Sequence, residues 1–220
     1  MLLNREEMKQ LLMKDFGTSL QRKICEDVIS ATKTCAIFFR DNQSFFSYSN
    51  YGSLRGELIS YAVTKELYDS AFSPKAAYQA EPLKVNNYNR SILHINTENF
   101  VTTVAKTGKA NQLPCKSKYK KAYAVANSHC DGQMYFSIND MLPIDPKYYS
   151  IITYGYNTTI NECTHINILI PSASFKETIV NMDLKSKYIP FILEEPKKVD
   201  EEKITKLHEE YERLIKLKIE

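Results

Sequence analysis

Phe100-Val101-Thr102-Thr103-Val104-Ala105 is dense in β-branched side chains and follows a turn-like Thr97-Glu98-Asn99. Such a run reads as a strand, because branched side chains pack well on a pleated surface. The neighbouring segments set the class of fold. Upstream, about 78–86 and Ser91–Ile95 are strand-like. Before them, Ser53 is positioned to cap a helix running to Ser70, with Leu54, Leu58, Tyr61, Ala62, Tyr68 and Phe72 as its apolar face. Downstream, the spacing predicts a helix between Pro114 and Asn127 with Tyr119, Ala122, Tyr123 and Ala126 on one side, then a strand at Met134–Ile138. Tyr148–Tyr154 and His165–Ile170 read as a hairpin joined by a polar loop, Gly155–Cys163, and ended by Pro171.

The amino-terminal part reads as helical. Residues 4–14 form an amphipathic segment with Met8, Leu11 and Leu12 inward, and Asp15-Phe16-Gly17-Thr18 breaks it. Leu20, Ile24, Val28 and Ala31 mark a second helix over 19–31. Cys35-Ala36-Ile37-Phe38-Phe39 is a short apolar run and is expected to be a buried strand, followed by a turn at Asp41-Asn42-Gln43. Phe175–Leu184 fits neither period. Glu194–Lys198 is a charged hinge, and a final helix spans about 199–218 with Ile204, Leu207, Tyr211 and Leu214 on one stripe. The expectation is an α+β domain over residues 1–193, with a mixed or mainly antiparallel sheet flanked by helices, and a hinge with a C-terminal helix over 194–220.

Composition narrows the classes. The 220 residues are 43% hydrophobic and 25% charged, which excludes general disorder, a collagen-like fibre and a disulfide-dense mini-protein. No apolar run approaches the roughly 18 residues of a membrane span, so no membrane partner is expected. Acids at Glu6 and Glu7 stand where a secretory signal would be basic and then apolar. The expected location is therefore cytoplasmic, with Cys25, Cys35, Cys115, Cys130 and Cys163 as reduced thiols and the Asn-x-Ser/Thr triplets at Asn42, Asn89 and Asn157 as chance matches.

The net charge of +3 is too small to name a partner, but its distribution is informative. Between Asn99 and Cys130 there is no Asp or Glu, while Lys106, Lys109, Lys116, Lys118, Lys120 and Lys121 all fall inside that window. Lysines on a loop and along a helix neutralise phosphates and release counterions. Tyr119 and Tyr123 are interleaved and would stack on bases if exposed. The plainer reading is a solvated lysine face with both tyrosines in the core, which their spacing favours.

The order helix, three strands, helix, strand across about 53–154 resembles the core of restriction-endonuclease-like nucleases. The resemblance implies an acid on the second strand and an acid-x-Lys triplet on the third, holding a magnesium ion that activates water. Here Lys106 stands at the lysine position, but Val104 occupies the acid position and the second strand offers only His94. Glu57 and Glu98 are the remaining acids for such a site, which is incomplete.

Other chemistry has less support. His129-Cys130-Asp131 and Cys163-Thr164-His165 lack the paired spacing of a zinc site. Ser117-x-x-Lys120 lacks companion motifs, and neither glycine-rich phosphate loop occurs, so no cofactor is expected. The tail stripe is under three heptads, so it reads as a helix docked on its own domain, or as a dimer or partner contact. The leading expectation is a non-catalytic nucleic-acid-binding protein that uses Lys106, Lys109, Lys116, Lys118, Tyr119, Lys120 and Lys121. The alternatives are a protein-interaction module (inhibitor or adaptor), with a protein partner or homodimer, and a nuclease with an incomplete metal site.

Overall fold

The longest helix corrects the sequence expectation at its most apolar point. In the computed structural model, which describes residues 4–46, 52–73, 78–84, 91–129, 147–193 and 201–219, helix α2 runs unbroken from Thr18 to Asp41. The segment Cys35–Phe39 is its last turns and not a strand. No glycine or proline interrupts the helix, and Ile24, Val28, Ala31, Cys35, Phe38 and Phe39 continue one buried stripe at spacings of three and four. A short apolar run has no period of its own, so here the preceding helix decided its state.

Helix α1 (Arg5–Asp15) precedes it, started by a capping box between Asn4 and Glu7. A short α3 (Gln43–Phe46) follows, then α4 (Gly52–Ala71). The buried residues of α4 include Leu54, Leu58, Ile59, Ala62, Val63 and Leu67. Phe72, expected on that face, lies beyond the helix end and is 67% exposed.

Among the described residues six strands form one mixed sheet in sequence order: β1 (Gln79–Lys84), β2 (Ser91–Asn96), β3 (Phe100–Lys106), β4 (Tyr148–Asn157), β5 (Glu162–Pro171) and β6 (Thr178–Asp183). β3 and β4 pair in parallel and every other neighbouring pair is antiparallel. The β3–β4 crossover includes α5 (Lys118–Ala124) and a 3₁₀ turn, Val125–His129. The fold is thus α+β, with helices flanking a mostly antiparallel sheet. The expected strand at 134–138 and hinge at 194–198 lie outside the described residues.

Alternation along the strands divides the core. Ile152, Tyr154, Ile166 and Ile168 face the cluster that includes residues of α2 and α4, whereas Tyr149 and Ile151 face Ala124 and Phe175 on the other side. The β4–β5 hairpin is longer than expected: the strands continue to Asn157 and resume at Glu162, leaving a short turn. The ambiguous 175–184 segment contains β6. Helix α6 (Lys185–Leu193) has no counterpart in the sequence reading, and it contains Pro190. Asp183 accepts the Ser186 amide at 3.0 Å at its start, and Tyr188 and Ile192 are buried.

The last helix, α7 (Glu201–Ile219), packs on α2 and α4. Leu207 is 2% exposed, Lys203 pairs with Glu66, and Tyr211 meets the rings of Phe38, Phe45 and Phe46. The stripe read from sequence is therefore spent largely on the chain's own helices.

Candidate functional site

The site is built at the carboxyl end of the parallel pair. β3 ends at Lys106, whose register partner on β4 is Tyr154. The chain then leaves the sheet at Thr107 and Gly108 towards α5. On β4 the register shifts between Tyr154 and Tyr156, a bulge centred on Gly155. A Cβ at Gly155 would lie 2.2 Å from Thr164 Oγ1 and 2.4 Å from His165 Nδ1, so only glycine lets β5 approach this closely. That approach brings His165 Nε2 to 2.8 Å from the Thr107 hydroxyl and leaves its Nδ1 at 3.0 Å from the Thr164 hydroxyl. Burial and the nearby Lys185 charge lower the pKa of His165, favouring the neutral ring.

The resulting crevice has a volume of about 460 Å³ and is lined by Lys106, Thr107, Gly108, Tyr156, Asn157 and Thr164. Its walls are braced from behind. The Tyr156 hydroxyl donates to Asn161 Oδ1 at 3.2 Å, and Asn161 takes a left-handed φ of 52° in the β4–β5 turn. Asn157 Oδ1 accepts the Thr159 amide at 2.8 Å, which leaves its Nδ2 as the remaining donor. Lys106 keeps part of its surface in water, yet burial of its ammonium lowers its pKa. Arg55, one residue before Gly56 on α4, rests its guanidinium on Phe39 and Phe46 and partly offsets the burial that raises the Tyr156 phenol pKa.

The lysines of the acid-free window divide into two groups. Lys106, Lys109, Lys116, Lys118 and Lys121 are exposed. None of them makes an ion pair among the described residues; the ion pairs there use Lys14, Arg22, Lys23, Arg40, Lys65, Lys203, Lys206 and Arg213. Lys120 is different. It is 9% exposed, donates to the Cys115 carbonyl at 3.0 Å, and holds its ammonium 5.6 Å from the Tyr119 ring centre. Burial lowers its pKa. Lys120 thus closes the first turn of α5 from inside, and Tyr119, half-buried, has that ammonium over its ring.

Tyr123 is a packing residue, stacked on Tyr149 at 5.5 Å and edge-on to His94 at 5.1 Å. Asn127 clamps the end of this segment to the sheet: its Nδ2 donates to the carbonyls of Tyr149 and Pro171, and its Oδ1 accepts the Tyr149 amide at 2.8 Å. The lysine segment is therefore carried on a fixed support.

Of the residues implied by the nuclease resemblance, Glu98 lies far from Lys106. Glu98 sits in the turn before β3, beside Lys14 at 3.6 Å, with the whole length of that strand, about 20 Å, between it and Lys106. Glu57 is half-buried on α4, His94 is buried edge-on to Tyr123, and Val104 packs against the apolar core. Among the described residues no group of three or more His, Cys, Asp or Glu side chains is placed to hold a metal ion. No helix among them is long and apolar enough to cross a membrane.

Sequence reading missed Thr107, Gly155 and Tyr156, and weighed Thr164 and His165 only beside Cys163 as zinc-like spacing and Asn157 only as a triplet match; the bulged β4–β5 pairing brings the β4 and β5 residues against Thr107. Gly155, a glycine in a run of strand-forming residues, was the available signal. No protein-family model, curated protein or solved structure matches this chain.

Proposed function

We propose that this chain is a non-catalytic nucleic-acid-binding protein that contacts backbone phosphates through Lys106, Lys109, Lys116, Lys118 and Lys121. The observation that carries the reading is that these five exposed lysines fall in one acid-free stretch of sequence and none of them pairs with a carboxylate among the described residues, whereas Lys14, Arg40, Lys65 and Lys206 do. Ammonium groups along one segment without carboxylate partners attract a polyanion, and anchoring of that segment to the sheet by Asn127 lowers the entropy cost of binding. Lys120 and Tyr123 serve the support, and Tyr119 is left a minor contact at most. The test is fluorescence anisotropy with duplex and single-stranded oligonucleotides at low salt. Binding is expected for the native chain and its loss when Lys109, Lys116, Lys118 and Lys121 are all changed to Glu. Equal affinity for the two proteins would overturn the reading.

A second reading is a protein-interaction module, an inhibitor or adaptor. It is supported by Phe72, 67% exposed beside Tyr68, whose side chain also lines an apolar groove with Tyr61, Pro82, Ile92 and Leu93. One stoichiometric protein partner, free of nucleic acid and released by Phe72→Ser, would favour this reading over the first.

A further inference from the structure

The crevice at the carboxyl end of β3 shares Lys106 with the exposed lysines but none of the other four, and its volume suits a smaller ligand. We propose that it binds a single phosphate group without a metal ion, and that within the nucleic-acid reading, on which this step rests, that phosphate belongs to the bound strand. Lys106 supplies the charge. Its ammonium is partly desolvated and has no carboxylate partner among the described residues, a state that an entering anion relieves.

The neutral donors follow from hydrogen-bond accounting. A neutral imidazole has one N–H and one bare nitrogen. His165 touches the Thr107 hydroxyl with one nitrogen and the Thr164 hydroxyl with the other. In either tautomer one hydroxyl donates to the ring, and the other accepts the ring N–H and keeps its own proton for a third group. Both threonines line the crevice, so that proton is available to a ligand oxygen there. Asn157 also lines the crevice, and with its Oδ1 occupied by the turn amides its Nδ2 is the donor left for a ligand.

Donors from three strand ends around an open volume suit a tetrahedral anion with several acceptor oxygens better than a planar carboxylate. No carboxylate lines the crevice; Glu162, cross-strand from Asn157, is exposed and lies outside the lining. The bulge at Gly155 and the Tyr156–Asn161 bond hold these donors in place before any ligand arrives.

The experiment is a titration of the full-length ¹⁵N-labelled chain with inorganic phosphate in EDTA, followed by amide chemical shifts. Saturable shifts confined to Lys106–Gly108, Tyr156–Asn157 and Thr164–His165 are expected. Lys106→Gln should weaken the binding at least tenfold, Asn157→Ala by a smaller factor, and Lys116→Gln not at all. Absent shifts, shifts spread evenly over the lysines, or indifference to Lys106→Gln would overturn the proposal. A matched pair of single strands with 5′-phosphate and 5′-hydroxyl ends then identifies the source. Preference for the phosphorylated end assigns a terminal phosphate and equal binding an internal one, provided the crevice amides shift. Phosphate binding in the crevice without any oligonucleotide affinity would sink the nucleic-acid reading alone. Oligonucleotide binding that leaves the crevice amides unmoved would sink the crevice proposal alone.

Discussion

Two alanine substitutions at glycine are expected to move stability in opposite directions. At Gly155 the added methyl would lie 2.2 Å from Thr164 Oγ1, 2.3 Å from His165 Cε1 and 2.4 Å from His165 Nδ1. Ordinary van der Waals contact begins near 3.5 Å, so both β5 side chains must retreat by more than an ångström. Neither is the free end of a long flexible chain. Thr164 is branched, and His165 is 7% exposed and bonded to Thr107. Overpacking of this kind costs about 1–3 kcal/mol, and loss of the Thr107–His165 bond adds about 1 kcal/mol. Gly155→Ala is therefore expected to destabilise the chain by about 2–4 kcal/mol, read as a lower urea midpoint at unchanged slope. Gly56 is the contrasting case. It lies inside α4, and its added methyl would meet nothing closer than Lys106 Nζ at 3.9 Å. Gly56→Ala is expected to stabilise by about 0.5–1 kcal/mol through helix propensity. A Gly155→Ala midpoint indistinguishable from the native chain would refute the account of the bulge.

Asp27 gives a pH test. It is 1% exposed, and burial raises its pKa to about 6 despite the Lys23 ammonium 2.6 Å from Oδ1. The folded chain then holds the proton more tightly than the unfolded one, so this group favours folding at low pH and its contribution is lost as pH rises from about 4 to about 6. Asp27→Asn is expected to remove that step, roughly 3 kcal/mol on the linkage scale, in denaturation curves collected from pH 4 to 7; a native-minus-variant difference that stays flat would contradict it. Leu207→Ala, at a 2% exposed position on α7, is expected to cost about 2–4 kcal/mol in the same assay, and no loss would mean that α7 contributes little to the core.

The class of fold was legible because most elements had a clear period: Leu54, Leu58 and Ala62 for α4, and the β-branched run for β3. The errors fall where a local pattern was overruled by its surroundings. Cys35–Phe39 had no period of its own and took the state of the helix before it. Residues 185–193 have no assignment in the sequence reading, and the helix there is held by the buried Tyr188 and Ile192 and the Asp183 cap despite the internal Pro190. The lysine window was visible as a run without acids, but the fate of each lysine was not. Lys120 and Lys121 are adjacent in sequence, and the turn of α5 sends one inward to the Cys115 carbonyl and the other to water. The crevice was illegible for a further reason. Its residues come from β3, β4 and β5, and their meeting depends on the bulge at Gly155, a pairing detail that spacing along one strand does not encode.

The most direct test of phosphate contact by the exposed lysines is the salt dependence of nucleic-acid affinity. Five lysines at about −0.9 each on duplex and about −0.7 each on single strands give a log–log slope near −4.5 and −3.5. Duplex affinity should then fall about 500-fold between 50 and 200 mM salt, and each Lys→Gln change among Lys106, Lys109, Lys116, Lys118 and Lys121 should flatten the slope by close to one unit, whereas Lys120→Met should leave it unchanged. A slope near zero, or one that ignores these substitutions, would contradict the assignment.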